Sequence, residues 1–208
     1  AWSPFFMRTA ATEEDAPHTF ARLSTYLVAA MLLLALGVAL LGRDVLMVIA
    51  SPSYYDAAPV VPIVTLGFLA HGFYFLVTNQ LFFAKKTLRL PLYTALSAGL
   101  NIGLNILTLE RFGMLAAAWN TTIGYTLLLV LVYFDSRRVY PVPYEYRRIG
   151  LLLAMAGLVY LPGHFVRLPS PYLDALVKLV LMACFPAALF LVRFFTPREL
   201  AGLRVAWE

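Results

Sequence analysis

The sequence predicts an all-α, polytopic membrane protein with about six transmembrane helices, and its composition and hydropathy pattern are the evidence. Of the 208 residues, 62% are hydrophobic and 13% are charged, whereas a typical soluble domain has about 25% charged residues. Four stretches, 23–42, 57–84, 90–109 and 112–134, contain no Asp, Glu, Lys or Arg. Each is long enough to cross a bilayer core of about 30 Å, which takes roughly 20 helical residues. An ordinary soluble protein is therefore excluded.

Apolar runs bounded by turn-forming or charged residues define the individual helices. We predict spans at 22–42, 58–83, 89–109, 112–134, 148–165 and 172–194. The interruptions between them lie at 42–44, 51–53, 85–87, 110–111, 135–148 and 161–171. The apolar segment 45–50 is too short to span a bilayer, so it either lies along the outer interface or extends the first helix.

The segment between the fourth and fifth spans is the clearest boundary in the chain. Pro141 and Pro143 are separated there by one residue, and a helix cannot continue through that pattern. The predicted organisation is a cytoplasmic N-terminal segment at 1–21 with the end of a preceding helix and a loop, a four-helix transmembrane bundle at 22–134, a cytoplasmic loop at 135–147, a terminal helix pair at 148–195 and a cytoplasmic tail at 196–208.

The distribution of basic residues predicts the orientation. Twelve Lys and Arg residues fall on one side of the predicted spans and three on the other, so the positive-inside rule places that side, with both chain ends, in the cytoplasm. The twelve are Arg8, Arg22, Lys85, Lys86, Arg89, Arg137, Arg138, Arg147, Arg148, Arg193, Arg198 and Arg204. They occur in small groups and form no basic face, so nucleic acid is not a predicted partner.

Residues for catalysis or metal binding are sparse. The single cysteine, Cys184, excludes an intramolecular disulfide and a cysteine-based zinc site. The three histidines have no spacing typical of a metal triad, and neither a P-loop nor a GxSxG motif is present. We therefore predict that the protein is not an enzyme and that it has no metal and no cofactor.

Polar residues of the third predicted helix occupy one side of it. At about 100° per residue, Ser97, Asn101 and Asn105 fall within one third of the circumference, while Gly99 and Gly103 lie on the opposite side with a GxxxG spacing. The polar side either hydrogen-bonds to a neighbouring helix or lines a hydrated path for a polar solute. The glycine side predicts close helix packing.

Two other helices carry polar residues on one face. His71, Tyr74 and Thr78 follow the spacing i, i+3 and i+7 in the second helix. An intramembrane histidine has either a functional role, in which it relays protons or binds an anion, or a structural one, in which it stays neutral and bonds to one neighbour. In the fourth helix, Ala116 and Asn120 lie on one stripe, which predicts close helix contact.

The last predicted helix contains an acidic and a basic residue four positions apart. Asp174 precedes Lys178, which is the better order for an ion pair within a helix. Lys178 either neutralises Asp174 or faces a phosphate-bearing substrate.

Three short motifs point to a family. They are Ala84-Lys85-Lys86-Thr87 after a helix, Asn101-x-x-x-Asn105, and Arg111-Phe-Gly113-Met-Leu-Ala116-Ala117-Ala118 opening the next helix. This pattern resembles the polysaccharide-export (Wzx-like) flippases of the MOP superfamily, which also contains the MATE exporters and the lipid II flippases. Ala1-Trp2-Ser3-Pro4 and Tyr54-Tyr55-Asp56-Ala57 also look like that family, whereas Ala116 stands where its members usually have a second glycine.

The resemblance implies a function and a set of site residues. It aligns the chain with the C-terminal half of a fourteen-helix flippase, so an N-terminal lobe is an expected partner, along with the lipid bilayer. The implied activity is movement of an undecaprenyl-pyrophosphate-linked glycan across the bacterial inner membrane by alternating access. The path candidates are His71, Tyr74, Thr78, Asn101, Asn105 and Asn120; the headgroup cations are Arg89 and Lys178; the helix-packing residues are Gly99, Gly103, Gly113, Ala116 and Ala117. The terminal helix pair would form a groove for the lipid tail.

Three alternatives remain open. A MATE-like multidrug exporter would need buried carboxylates, and the predicted spans hold none deep in the membrane. A membrane enzyme such as a glycan polymerase would need a large outer loop, and the predicted outer loops are short. A six-helix scaffold or assembly protein becomes the leading alternative if the 208 residues are the complete chain.

Overall fold

The computed structural model describes residues 2–166, 168, 171–191 and 194. They form α1 (Trp2–Thr12), α2 (Ala16–Ile49), a 3₁₀ turn (Pro52–Ala57), α3 (Val60–Phe83), α4 (Arg89–Val139), α5 (Tyr146–Phe165) and α6 (Pro171–Leu191). Five of these helices, α2 to α6, are long and apolar enough to cross a membrane. The prediction of a polytopic helical membrane protein is therefore confirmed. The predicted tail and Arg193, Arg198 and Arg204 lie outside the described residues.

The longest helix, α4, turns back on itself at Gly113. This residue has φ 59° and ψ −142°, a conformation that glycine adopts far more readily than other residues. The two limbs, 89–112 and 114–139, pack against each other, and a hydrogen bond joins Asn120 in the second to Asn105 in the first. The limbs correspond to the third and fourth predicted spans. Gly113 was expected to serve in helix packing, but among the described residues nothing lies within 4 Å of a Cβ built there, and the residue forms the turn instead.

Several helix boundaries differ from the predictions. α2 begins at Ala16, inside the segment predicted to precede the first span, and Pro17 is compatible with a first helical turn. The apolar segment 45–50 extends this helix, which ends at Ile49. Of the two predicted alternatives, the structure therefore has the extension of the first helix.

The predicted cytoplasmic loop at 135–147 is shorter in the structure. α4 continues through Val139 and α5 begins at Tyr146, so the non-helical part is 140–145, around the two prolines. The helix persists because buried Asp135 binds the Arg89 guanidinium and accepts a hydrogen bond from the Tyr93 hydroxyl, which fixes the last turns of α4 against its start.

The helices pack as two groups that meet along α2 and α3. In one group, α3 packs against both limbs of α4; in the other, α5 and α6 pack against α2. The largest apolar core contains Val28 and Leu36 from α2, Leu152 from α5 and Phe185 from α6. The first predicted span, α2, therefore contacts α3 of the predicted four-helix bundle as well as both helices of the predicted terminal pair, and it connects the two groups.

Candidate functional site

A stack of aromatic rings lies near the middle of α3. The imidazole of His71 is parallel to the rings of Tyr74 and Tyr125, with centroid distances of 5.5 and 4.5 Å. Tyr74 is one turn further along α3, and Tyr125 comes from the second limb of α4. All three side chains are partly exposed on the surface of the bundle. We call this surface the His71 face.

The His71 imidazole has no hydrogen-bond partner among the residues that the structure describes. Its ring is held by stacking alone, so its nitrogens keep their full hydrogen-bonding capacity. Lipid hydrocarbon offers neither a hydrogen-bond donor nor an acceptor. A polar group left without a partner there costs on the order of several kcal/mol. The His71 face therefore needs water, a polar ligand or another protein segment against it.

The asparagines of α4 form a hydrogen-bonded ladder between its limbs. Asn105 donates to the Asn101 side chain at 3.1 Å, and Asn120 donates to Asn105 at 3.2 Å and to the Thr108 hydroxyl at 2.9 Å. Asn120 is buried, and Gly124 gives the limbs room to meet beside Asn101. The structure thus favours the first interpretation, hydrogen bonding across a helix interface, over a hydrated path.

The two sides of the first limb have the opposite roles from those expected. The polar side makes the close contact with the second limb, whereas no atom of the described residues packs within 4 Å of a Cβ built at Gly99 or Gly103. The prediction that these two glycines pack closely is therefore wrong within the described part of the chain. Ala116, by contrast, is buried as predicted, while Ala117 is partly exposed.

Thr78 does not belong to the His71 face. Its side chain is buried, and its hydroxyl donates to the carbonyl oxygen of Tyr74 at 2.7 Å. Assigning it to a solute path was wrong, because a hydroxyl that bonds to its own helix needs no further partner. Of the predicted path residues, His71 and Tyr74 alone combine partial exposure with a place on this face.

Both predicted headgroup cations are bound to carboxylates. Lys178 lies between Asp44 on α2 and Asp174 on its own helix, with Nζ to oxygen distances of 2.7 and 2.6 Å. Arg89 binds Asp135. The expected Asp174–Lys178 pair is confirmed. Lys178 is not placed to bind a lipid headgroup, because its ammonium is buried and already neutralised by carboxylates.

The end of the bundle that carries most of the basic residues is closed by the segment 140–145. Val142 is buried beside Phe6 and Phe20. The Tyr144 hydroxyl accepts a hydrogen bond from Gln80 at 2.6 Å, and the Glu145 carboxylate accepts one from Thr25 of α2. Burial raises the pKa of the Tyr144 phenol well above its usual value, so it stays neutral at physiological pH. We call this end, with Lys85, Lys86, Arg137, Arg138 and Arg147, the basic end.

An apolar crevice separates α5 from the second limb of α4. Its larger part has a volume of about 510 Å³ and lies away from the basic end, lined by Leu36, Leu66, Trp119, Leu153 and Tyr160, among others. This volume is within the range of about 300–1,000 Å³ that is usual for ligand pockets. No described side chain of α6 lines it, and the described lining of the groove expected from the terminal pair comes from α5 with α2, α3 and α4.

Sequence reasoning missed Tyr125, Asp44 and Asp135. Tyr125 belongs to a polar patch with Thr121 and Thr122, but the sequence alone does not show that it stacks on His71 from another helix. The two carboxylates are separated from their basic partners by 134 and 46 residues, so no local spacing reveals them.

The fold and these features define a class, a polytopic helical membrane protein that presents a partly exposed histidine and two tyrosines near the middle of an apolar helix. No protein-family model, curated protein or solved structure matches the chain. The residues described contain no group of three or more His, Cys, Asp or Glu side chains that could hold a metal ion.

Proposed function

We propose that this chain is one lobe of a flippase that moves a lipid-linked oligosaccharide across the bacterial inner membrane by alternating access. The observation that carries the proposal is the His71 imidazole, which lies near the middle of an apolar helix without a hydrogen-bond partner in the described residues. Polar side chains at this depth usually face a water-filled cavity or a neighbouring helix. A path between this lobe and a second lobe satisfies that requirement, and the resemblance of three short motifs to those of polysaccharide-export flippases supports the same class.

In this proposal, the His71 face forms one wall of the hydrated path. The imidazole is both a donor and an acceptor, and Tyr74 and Tyr125 add hydroxyl groups beside it. Such groups suit the hydroxyl-rich surface of a glycan. The lipid tail lies in the apolar crevice between α4 and α5, which has the volume and the apolar lining for a hydrocarbon chain.

The basic end faces the cytoplasm in this proposal. The arginines and lysines of the α3–α4 turn, the end of α4 and the start of α5 all lie there, because Arg89 binds Asp135 and the Tyr133 hydroxyl lies 2.6 Å from that of Tyr146. The positive-inside rule then orients the bundle, and the glycan moves from the basic end towards the opposite end.

Replacing His71 with alanine is expected to slow glycolipid translocation roughly tenfold or more, since losing a hydrogen bond to a polar ligand costs about 1–2 kcal/mol. The assay uses the full-length protein in proteoliposomes that contain a fluorescent polyprenyl-pyrophosphate oligosaccharide, and it follows exposure of the glycan to an impermeant quencher. His18→Ala is the matched control, because this histidine is exposed and binds Asp15 far from the path.

An unchanged rate in His71→Ala would contradict the proposal. Efflux of a cationic dye that depends on His71, with no movement of the glycolipid, would instead favour a multidrug exporter. Normal membrane insertion of both variants is checked by fractionation, so that a folding defect is not read as a transport defect.

A further inference from the structure

A second cavity lies in the same crevice, at the basic end. Its volume is about 250 Å³, and it is an open cavity lined by residues of α2, α3, the second limb of α4 and the start of α5. The lining is almost wholly apolar, with Val28, Phe73 and Ile149 among its residues. Three tyrosines, Tyr133, Tyr144 and Tyr146, lie at its edge.

The mouth of this cavity carries hydrogen-bond donors that are suited to an anion. The hydroxyls of Tyr133 and Tyr146 are 2.6 Å apart, and Arg137 donates to the Tyr133 oxygen at 3.2 Å. One hydrogen joins the two hydroxyls, so the other O–H remains available to a ligand. The Arg137 guanidinium has five N–H donors, and a single one of them is used in this contact.

Arg137 differs in its partner from Arg89 and Arg148, two arginines at this end that bind carboxylates. Arg89 binds Asp135 and Arg148 binds Glu145, whereas no carboxylate contacts Arg137 within the part of the chain that the structure describes. Its positive charge is therefore not neutralised by the protein. A phosphate group fits the planar guanidinium with two parallel hydrogen bonds.

We propose that this cavity binds an anionic phospholipid of the surrounding leaflet, with its phosphate on Arg137 and the Tyr133–Tyr146 pair and one acyl chain in the apolar cavity. The combination of an unneutralised guanidinium, a free hydroxyl hydrogen and an adjoining apolar cavity matches such an amphiphile. A volume of about 250 Å³ suits part of one chain rather than a long polyprenyl tail. The site is separate from the His71 face and does not depend on the transport proposal.

The lipid preference is tested on the purified full-length protein by native mass spectrometry, with phosphatidylglycerol and phosphatidylcholine supplied in equal amounts. We expect the protein to retain phosphatidylglycerol preferentially, and Arg137→Gln to reduce that preference roughly tenfold, the effect of losing one charge-assisted hydrogen bond. Tyr133→Phe combined with Tyr146→Phe is expected to weaken it to a smaller extent, because the guanidinium remains.

Arg138→Gln is the matched control, because it removes the same charge at the same depth from a different side of α4. Successive residues of a helix are about 100° apart around its axis, so Arg138 points in a different direction from Arg137. A loss of preference in Arg138→Gln as large as that in Arg137→Gln would overturn the proposal in favour of unspecific attraction. Displacement of the phospholipid by an equal amount of polyprenyl pyrophosphate would overturn it in favour of a substrate site. Arg137 is exposed, so the variant is expected to fold, which its elution as a single species verifies.

Discussion

Replacing Lys178 with methionine is expected to destabilise the protein by about 3–5 kcal/mol, the usual cost of removing one partner from a buried ion pair. The side chains of Lys178, Asp174 and Asp44 are 6%, 10% and 22% exposed. Without the ammonium, two carboxylates remain close together in a poorly solvated place. Asp174 keeps one hydrogen bond, from the backbone N–H of Leu168, which does not neutralise its charge.

The loss is measured as the melting temperature of the full-length protein in detergent, and as its amount in the membrane. Lys86→Met is the control, because Lys86 is exposed at the opposite end of the bundle. Adding Asp44→Asn and Asp174→Asn to Lys178→Met is expected to restore much of the stability, since the triple variant leaves no uncompensated charge. A melting temperature of Lys178→Met equal to that of the parent protein would show that this cluster does not join α6 to α2.

The second large effect is expected from Gly67→Val, which should separate α3 from the second limb of α4. A Cβ at this position would lie 3.1 Å from the Thr122 Cα and 2.9 Å from its hydroxyl oxygen. That hydroxyl donates to the Ile63 carbonyl at 2.9 Å, so the contact cannot relax without breaking a hydrogen bond between the helices. Overpacking typically costs about 1–3 kcal/mol, and more where backbone atoms must move.

Gly99→Val is the control for this prediction, because in the described part of the chain nothing lies within 4 Å of a Cβ there. Both substitutions place valine in an apolar helix, so their difference isolates the close approach. We expect a lower melting temperature for Gly67→Val and little change for Gly99→Val. The reverse order would restore the role in helix packing that the GxxxG spacing predicted.

Hydropathy was sufficient to predict the helices because a membrane span is a local property of about 20 residues. The apolar runs correspond to α2, α3, the two limbs of α4, α5 and α6. Helix periodicity also placed Asn101 and Asn105 on one face of the third span, and the Asn105 amide donates to the Asn101 side chain in the structure. The residues of one helix face can be counted from the sequence, since the repeat of a helix is fixed.

The sequence does not show which neighbouring helix a given helix face contacts. The first limb has a polar side and a small-residue side, and both kinds of side promote helix association in membranes. Which of them is buried depends on the direction in which Gly113 returns the chain. The Lys178 cluster shows the same limit, since the partner on its own helix was predictable from an i, i+4 spacing, whereas Asp44 comes from a distant segment.

Water access to position 71 is the most direct test of the account. In the full-length protein with Cys184→Ala, His71→Cys is treated in intact membranes with a hydrophilic, membrane-impermeant maleimide. Ile102→Cys is the matched control, because Ile102 lies near the middle of the first limb and is 60% exposed on its apolar surface. We expect labelling at position 71 and none at position 102. Equal protection of both positions would place the His71 face against lipid or packed protein and would contradict a hydrated path.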